Sequence, residues 1–262
     1  MRKSTVRNPE KLVPSRITPL RLEAFEQLPK HARRCVFWEV DPSTLPSTQS
    51  SGSQLWDPEF EKEAWLSMVM LEWGACGQMA VQCPESMDDD PALTGDEPCL
   101  GYAFYAPPRA VPRARLFPSG PVSADAVLLT TLGVEPCDDA DGLPRSLISA
   151  VVGDLVRRGV RALEAFGHTA DVAELSDPKV VSPVLRPIVE VLGDCSVDQC
   201  VLSADLLQDS GFVVVSPHPY FPRLRLELEQ GLGWKADVEA ALERLLESAQ
   251  LQQPVGAGAN PC

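Results

Sequence analysis

Residues 134–159 read VEPCDDADGLPRSLISAVVGDLVRRG: the end of an apolar run, a polar turn and an amphipathic stretch. A glycine-bearing turn that opens a helix is suited to a phosphate, because the first N–H groups of a helix have no carbonyl partner inside it and the helix dipole adds positive potential there. Gly142 meets that need, since a residue without a side chain lets an anion approach the backbone. Asp138, Asp139 and Asp141 oppose it by repelling a phosphate, and Pro144 has no N–H to give. Two chemistries are open for this turn: a weakened phosphate cradle, or a helix start in which the aspartates cap free N–H groups.

Other side chains have the right chemistry for proton transfer. His218 and Tyr220, in SPHPYFPRLRL, follow a strand-like run whose end is expected to face a cleft, and either could move a proton directly or through water. Packing in a proline-rich loop is the alternative for both. His168, after EAFG, has the same two readings. Glu72 and Trp73 end a helical stretch and are candidates to border a pocket, and Arg109 and Arg113 are candidates to hold an anionic acceptor. The eight cysteines (Cys35, Cys76, Cys83, Cys99, Cys137, Cys195, Cys200, Cys262) contain no Cys-x-x-Cys pair, and His31, His168 and His218 stand far apart. Metal-site spacing is absent, and the thiols are expected as small core or surface residues.

Elements must position these groups. SRITPLRLEAFEQLPKHARR reads as a short strand leading into a helix with Leu22, Phe25 and Leu28 on one face, and CVFWEV as a buried extended segment. DPEFEKEAWLSMVMLEW opens with an Asp cap and a Pro, and places Phe60, Ala64, Met68 and Leu71 at helical spacing. CGQMAVQ and CLGYAFYA are strands separated by an acidic insertion, residues 84–97, expected to be mobile. DAVLLTTLGV is a strand, and the stretch after Gly142 is a helix with a wide apolar stripe ending at Gly159. VRALEAFG is a strand, SADLLQDSGF a helix closed by Gly211, and FVVVS and RLRLEL are strands. The predicted fold class is α/β (α+β), a central mixed, mostly antiparallel sheet flanked by helices.

This order, and the segment from Val127 to Leu228, resembles the GNAT superfamily of acyl-CoA-dependent N-acyltransferases. Val134 and Pro136 stand where the family carries its V-x-P after the fourth strand, Gly142 falls on the first motif glycine, and Gly211-Phe212 matches a pair that closes the family's fourth helix. The family's Arg or Gln is Asp139 here, and its second small residue is Pro144. The resemblance implies acetyl-CoA or another acyl-CoA as co-substrate, bound through Leu132, Gly133, Val134, Asp139, Gly142, Leu143, Pro144 and Arg145. Cys200 stands where many relatives use an Asn to touch the pantetheine arm. It further implies that the fourth and fifth strands, near residues 126–134 and 161–167, diverge at their C-terminal ends. The position that often holds the family's acidic Tyr is Leu207, and Thr130 and Thr131 stand where the fourth strand often carries a carboxylate, so His218 and Tyr220 are the substitute catalytic candidates.

The 262 residues, 44% of them hydrophobic, suffice for one sizeable core. A formal net charge of −14 argues against a nucleic-acid partner, although basic residues dominate the first 34 positions. No apolar run approaches the ~20 residues of a membrane span and none at the N-terminus resembles a signal peptide, so a cytoplasmic protein is expected. The expected organisation is a flexible basic segment 1–13, a GNAT-like domain 14–229, an amphipathic helix 230–249 and a disordered tail 250–262. Two functions follow: an N-acyltransferase acting on an unknown amine of a small molecule or protein, with a homodimer allowed, or a GNAT-fold binding or regulatory protein that has lost turnover.

Overall fold

A computed structural model of the chain describes residues 15–44, 57–82, 97–136, 142–176 and 196–228. All of these fall in one compact unit, Met1–Leu228. The insertion 84–97 except Glu97, the expected helix 230–249 and the expected terminal segments 1–13 and 250–262 lie outside the described residues.

The described elements in chain order are β1 (Ser15–Pro19), α1 (Lys30–Arg34), α2 (Pro58–Glu72), β2 (Gly77–Gln82), β3 (Cys99–Ala106), β4 (Ala126–Val134), α3 (Leu143–Arg157) and β5 (Ala162–His168). They continue with α4 (Val197–Cys200), β6 (Leu202–Ser203), α5 (Ala204–Asp209), β7 (Val213–Ser216) and β8 (Arg223–Glu227). One sheet runs β1-β2-β3-β4-β5-β8-β7, with β6 paired to β5 off that path. Neighbours are antiparallel except β4–β5 and β5–β6, so the sheet is mixed and mostly antiparallel, as expected.

Two apolar cores cover the sheet. One gathers Leu20, Phe25, Trp38, Trp65, Leu66, Phe104, Phe117, Phe166 and Phe221 under the N-terminal segments and α2. The other packs Leu147, Ile148, Val151 and Leu155 of α3 on Leu129, Leu163 and Leu224 of the strands. The stripe read for α3 is therefore the one it buries, and Gly159, at φ 76°, lets the chain turn back after the helix.

The sequence reading of α2 is right in its cap and wrong in its face. Asp57 accepts the N–H of Glu59 at 3.0 Å and Pro58 opens the helix. The buried residues, however, are Lys62, Trp65, Leu66 and Val69, while Phe60 and Leu71 are 65% and 88% exposed. The reason is Lys62: its ammonium pairs with Glu39, donates to Cys35 O at 3.1 Å and lies 4.4 Å from the Phe104 ring centroid, so the helix turns that flank inward. Two neighbouring expectations also shift. Leu22–Gln27 is a 3-10 turn with Phe25 and Leu28 buried, and CVFWEV forms turns around buried Phe37, Trp38 and Glu39.

Candidate functional site

The site grows from a defect in β4. Phe104 pairs with Thr131 and Tyr105 with Leu129, so Thr130 is an extra residue, a bulge, and its hydroxyl donates to Phe104 O at 3.0 Å. A bulge bends its strand and raises the local twist. Beyond it the strand leaves β5: their parallel pairing covers Ala126–Leu128 against Ala162–Glu164, and β5 continues with Gly167 and His168 paired to β6 instead. Glu135 N donates to Leu100 O of β3's leading edge at 2.9 Å. By the alternation along a strand, the backbone groups of Gly133 also face β3, and those of Leu132 and Val134 face the gap on the β5 side. Gly133 is required for a second reason, because a Cβ there would sit 2.5 Å from the Tyr102 ring.

The closed end of this fork is clamped by charge. Glu164, fully buried, accepts the N–H of Ser123 at 3.1 Å and pairs with Arg223 and, at 3.1 Å, with Arg225. Burial raises its pKa, but the Ser123 hydrogen bonds and the two guanidiniums outweigh that and hold the carboxyl below its ordinary range. Arg225 reaches on to Asp125, the residue before β4.

At the open end lies a cavity of about 180 Å³ lined by Thr130, Thr131, Leu132, His168, Gln199, Cys200, Val201, Leu202, Ser203 and Leu206. Divergent fourth and fifth strands, a long helix as the next element after the fourth, and Gly211-Phe212 leading from α5 into β7 are together in register with the expected architecture. The arrangement is GNAT-like at the level of fold.

On that fold the candidates separate. Leu132 lines the cavity, Val134 continues the same edge, which has no strand partner among the described residues, Gly133 between them pairs with Tyr102 of β3, and α3 starts at Leu143 with Pro144 in its first turn. Arg145 sits on that first turn, in an exposed 3.1 Å pair with Asp209. Asp139 lies outside the described residues. Cys200 lines the cavity but is itself 1% exposed, with its Sγ 3.7 Å from Cys35 Sγ and its carbonyl accepting from Trp38 Nε1 at 2.8 Å. Leu207 is buried in the core that also holds the apolar stripe of α3, and Leu206 lines the cavity.

His218 and Tyr220 are not among the cavity-lining residues. His218 Nδ1 accepts the N–H groups of Tyr220 and Phe221 at 3.2 and 3.0 Å, which puts the neutral ring's proton on Nε2, and burial lowers its pKa. Tyr220 is buried, and its carbonyl receives the N–H of Thr169 at 3.1 Å. The imidazole in the lining is His168, at the end of β5. Arg113 is buried, donating from Nε to Phe37 O above the Phe37 ring, whereas Arg109 is exposed. Trp73 lies under the Arg158 guanidinium, 3.6 Å from ring to carbon, and Glu72 is exposed.

No protein-family model matches the chain, and no curated protein matches it. Solved structures do. An acetyltransferase of Desulfovibrio desulfuricans, named for the GNAT family, shares 18% identity over 82% of this chain and 99% of its own, with a TM-score of 0.37. The ribosomal-protein-S18-alanine N-acetyltransferase of Escherichia coli shares 12% over 83% and 96%, with a TM-score of 0.41. The PaiA N-acetyltransferase of Thermoplasma acidophilum, in complex with coenzyme A, shares 11% over 82% and 99%, with a TM-score of 0.42.

Proposed function

We propose that the chain is an acyl-CoA-dependent N-acyltransferase whose reaction takes place in the fork between β4 and β5. The observation that carries this reading is the bulge at Thr130, after which Leu132 and Val134 turn strand-edge groups into the gap with no strand partner among the described residues. Such an edge accepts an extended amide chain by the same hydrogen bonds that would hold another strand, and the pantetheine arm of coenzyme A is such a chain.

The other residues fit the group in part. Leu143 and Arg145 lie in the first turn of a 15-residue helix, where N–H groups lack intrahelical partners. Pro144 removes one donor. Arg145 is held by an exposed ion pair of the kind worth about 0–1 kcal/mol, so its guanidinium is available to a phosphate. When bound, an acyl-CoA supplies an activated thioester carbonyl for attack by an amine. His168 is the chain's proton acceptor for that amine, because it brings an imidazole to the cavity wall and the described lining contains no carboxylate.

The lack of a carboxylate among the described lining residues is also compatible with a second reading, a binding protein that holds CoA without turnover. Calorimetric titration with CoA and acetyl-CoA, followed by thiol release from acetyl-CoA across a panel of amines, separates the two. Micromolar binding with amine-dependent release supports the enzyme; micromolar binding without release supports the binding protein. No heat at millimolar ligand would overturn both.

A further inference from the structure

A second cluster lies behind the cavity wall. His31 and Cys35 are four positions apart, and the Cys35 N–H donates to His31 O at 2.8 Å, so one helical turn puts both side chains on the same face of α1. Cys200 reaches them from α4, far away in sequence, and the Trp38 indole fixes its carbonyl. A ring nitrogen of His31 and the two sulfurs lie within 4.8 Å of one another.

We propose that His31, Cys35 and Cys200 form a site for a soft divalent ion such as Zn²⁺, assembled when Cys200 is in its thiol form. Tetrahedral zinc with Zn–S bonds of about 2.3 Å sets its sulfurs about 3.8 Å apart, and the separation here is 3.7 Å. The Nε2 of His31 is buried and has no hydrogen-bond partner among the described residues, which is the condition of a nitrogen that lacks a ligand. Two thiolates, a neutral imidazole and a divalent cation sum to zero charge, so the filled site can be buried at little electrostatic cost. The described residues supply three of the four ligands of a tetrahedral site.

Redox state gates the site. Cys200 is disulfide-bonded in this structure, and a disulfide sulfur is not a thiolate ligand. A phosphine breaks the S–S bond by delivering two electrons and becoming its oxide, while water supplies the oxygen and the two protons of the new thiols. Metal entry then expels one proton each from Cys35 and Cys200. The metal site does not rest on the acyl-transfer reading, although Cys200 also lines that cavity.

The test uses the full chain, reduced with a phosphine and titrated with Zn²⁺ and, for its spectrum, Co²⁺. The expected result is one equivalent bound, release of two protons, and a sulfur-to-cobalt charge-transfer band in the near ultraviolet. C35S and H31A are each expected to weaken Zn²⁺ binding by more than the roughly 10–100-fold that outer-shell changes produce. C99S is expected to match the parent, and the unreduced chain to bind none. Thermal melts of the metal-free variants report their folding, and H31A, at a half-buried helix position, serves if C35S does not fold. Absence of stoichiometric binding by the reduced chain, or equal affinity in parent, C35S and H31A, would overturn the proposal.

Discussion

At the scale of single residues, two histidines have opposite assignments. His168 lines the cavity and is proposed to take the amine's proton, so His168→Gln is expected to lower kcat by about 10²–10⁴ while leaving CoA affinity, read by calorimetry, within a few-fold of the parent. His218 holds a turn through Nδ1 and its folded pKa is lowered by burial. The sign follows: between the folded value and the unfolded value near 6.5 the unfolded chain binds more protons, so stability is lost as pH falls below about 6.5. His218→Asn keeps an acceptor near the Nδ1 position and removes the titration. Denaturant midpoints from pH 7.5 to 5 are expected to fall less steeply in this variant than in the parent.

At the scale of elements, the fork has a clamped end and an open end. Glu164 ties β5 to β8 and to the turn before β4, so Glu164→Gln leaves Arg223 and Arg225 without their shared carboxylate. Breaking a buried ion pair from one side costs about 3–5 kcal/mol, which urea unfolding would register as a lower midpoint. At the open end, Ser203→Phe is expected to fill the cavity and abolish CoA binding with little change in melting temperature, because Ser203 is a partly exposed lining residue. Pro144→Ala returns one N–H to the first turn of α3. A hydrogen bond to a charged group is worth roughly 1.5–3 kcal/mol, so CoA should bind about 10–100-fold more tightly. No gain in a normally folded variant would show that this turn does not face the phosphates.

At the scale of the whole molecule, the formal charge of −14 opposes polyanions in general. At 0.15 M salt the chain is expected to pass through a heparin column unretained and to leave duplex DNA unshifted in a gel. Retention would show that the basic residues near the N-terminus form a local anion site strong enough to overcome the rest of the surface.

Much of this architecture is legible in the residues themselves. Period-two and period-3.6 apolar patterns mark the strands and α3, Asp57 marks the start of α2, and Gly159 and Gly211 mark turns because few other residues adopt positive φ, here 76° and 92°. The strand edge at Leu132 and Val134 was likewise reachable, by register with a family motif. What could not be read is whatever depends on contacts between distant segments. The buried face of α2 was missed because its Lys62 counts as polar until Glu39, 23 positions away, neutralises it. His168 rather than His218 faces the cavity because β5 leaves β4, a consequence of one extra residue in pairing. Only the His31–Cys35 half of the cluster has a local spacing, since Cys35 and Cys200 are 165 positions apart and meet only when the chain packs α4 against the turn that follows α1. Local patterns report what each segment buries, and only the packed chain decides which polar groups are buried together.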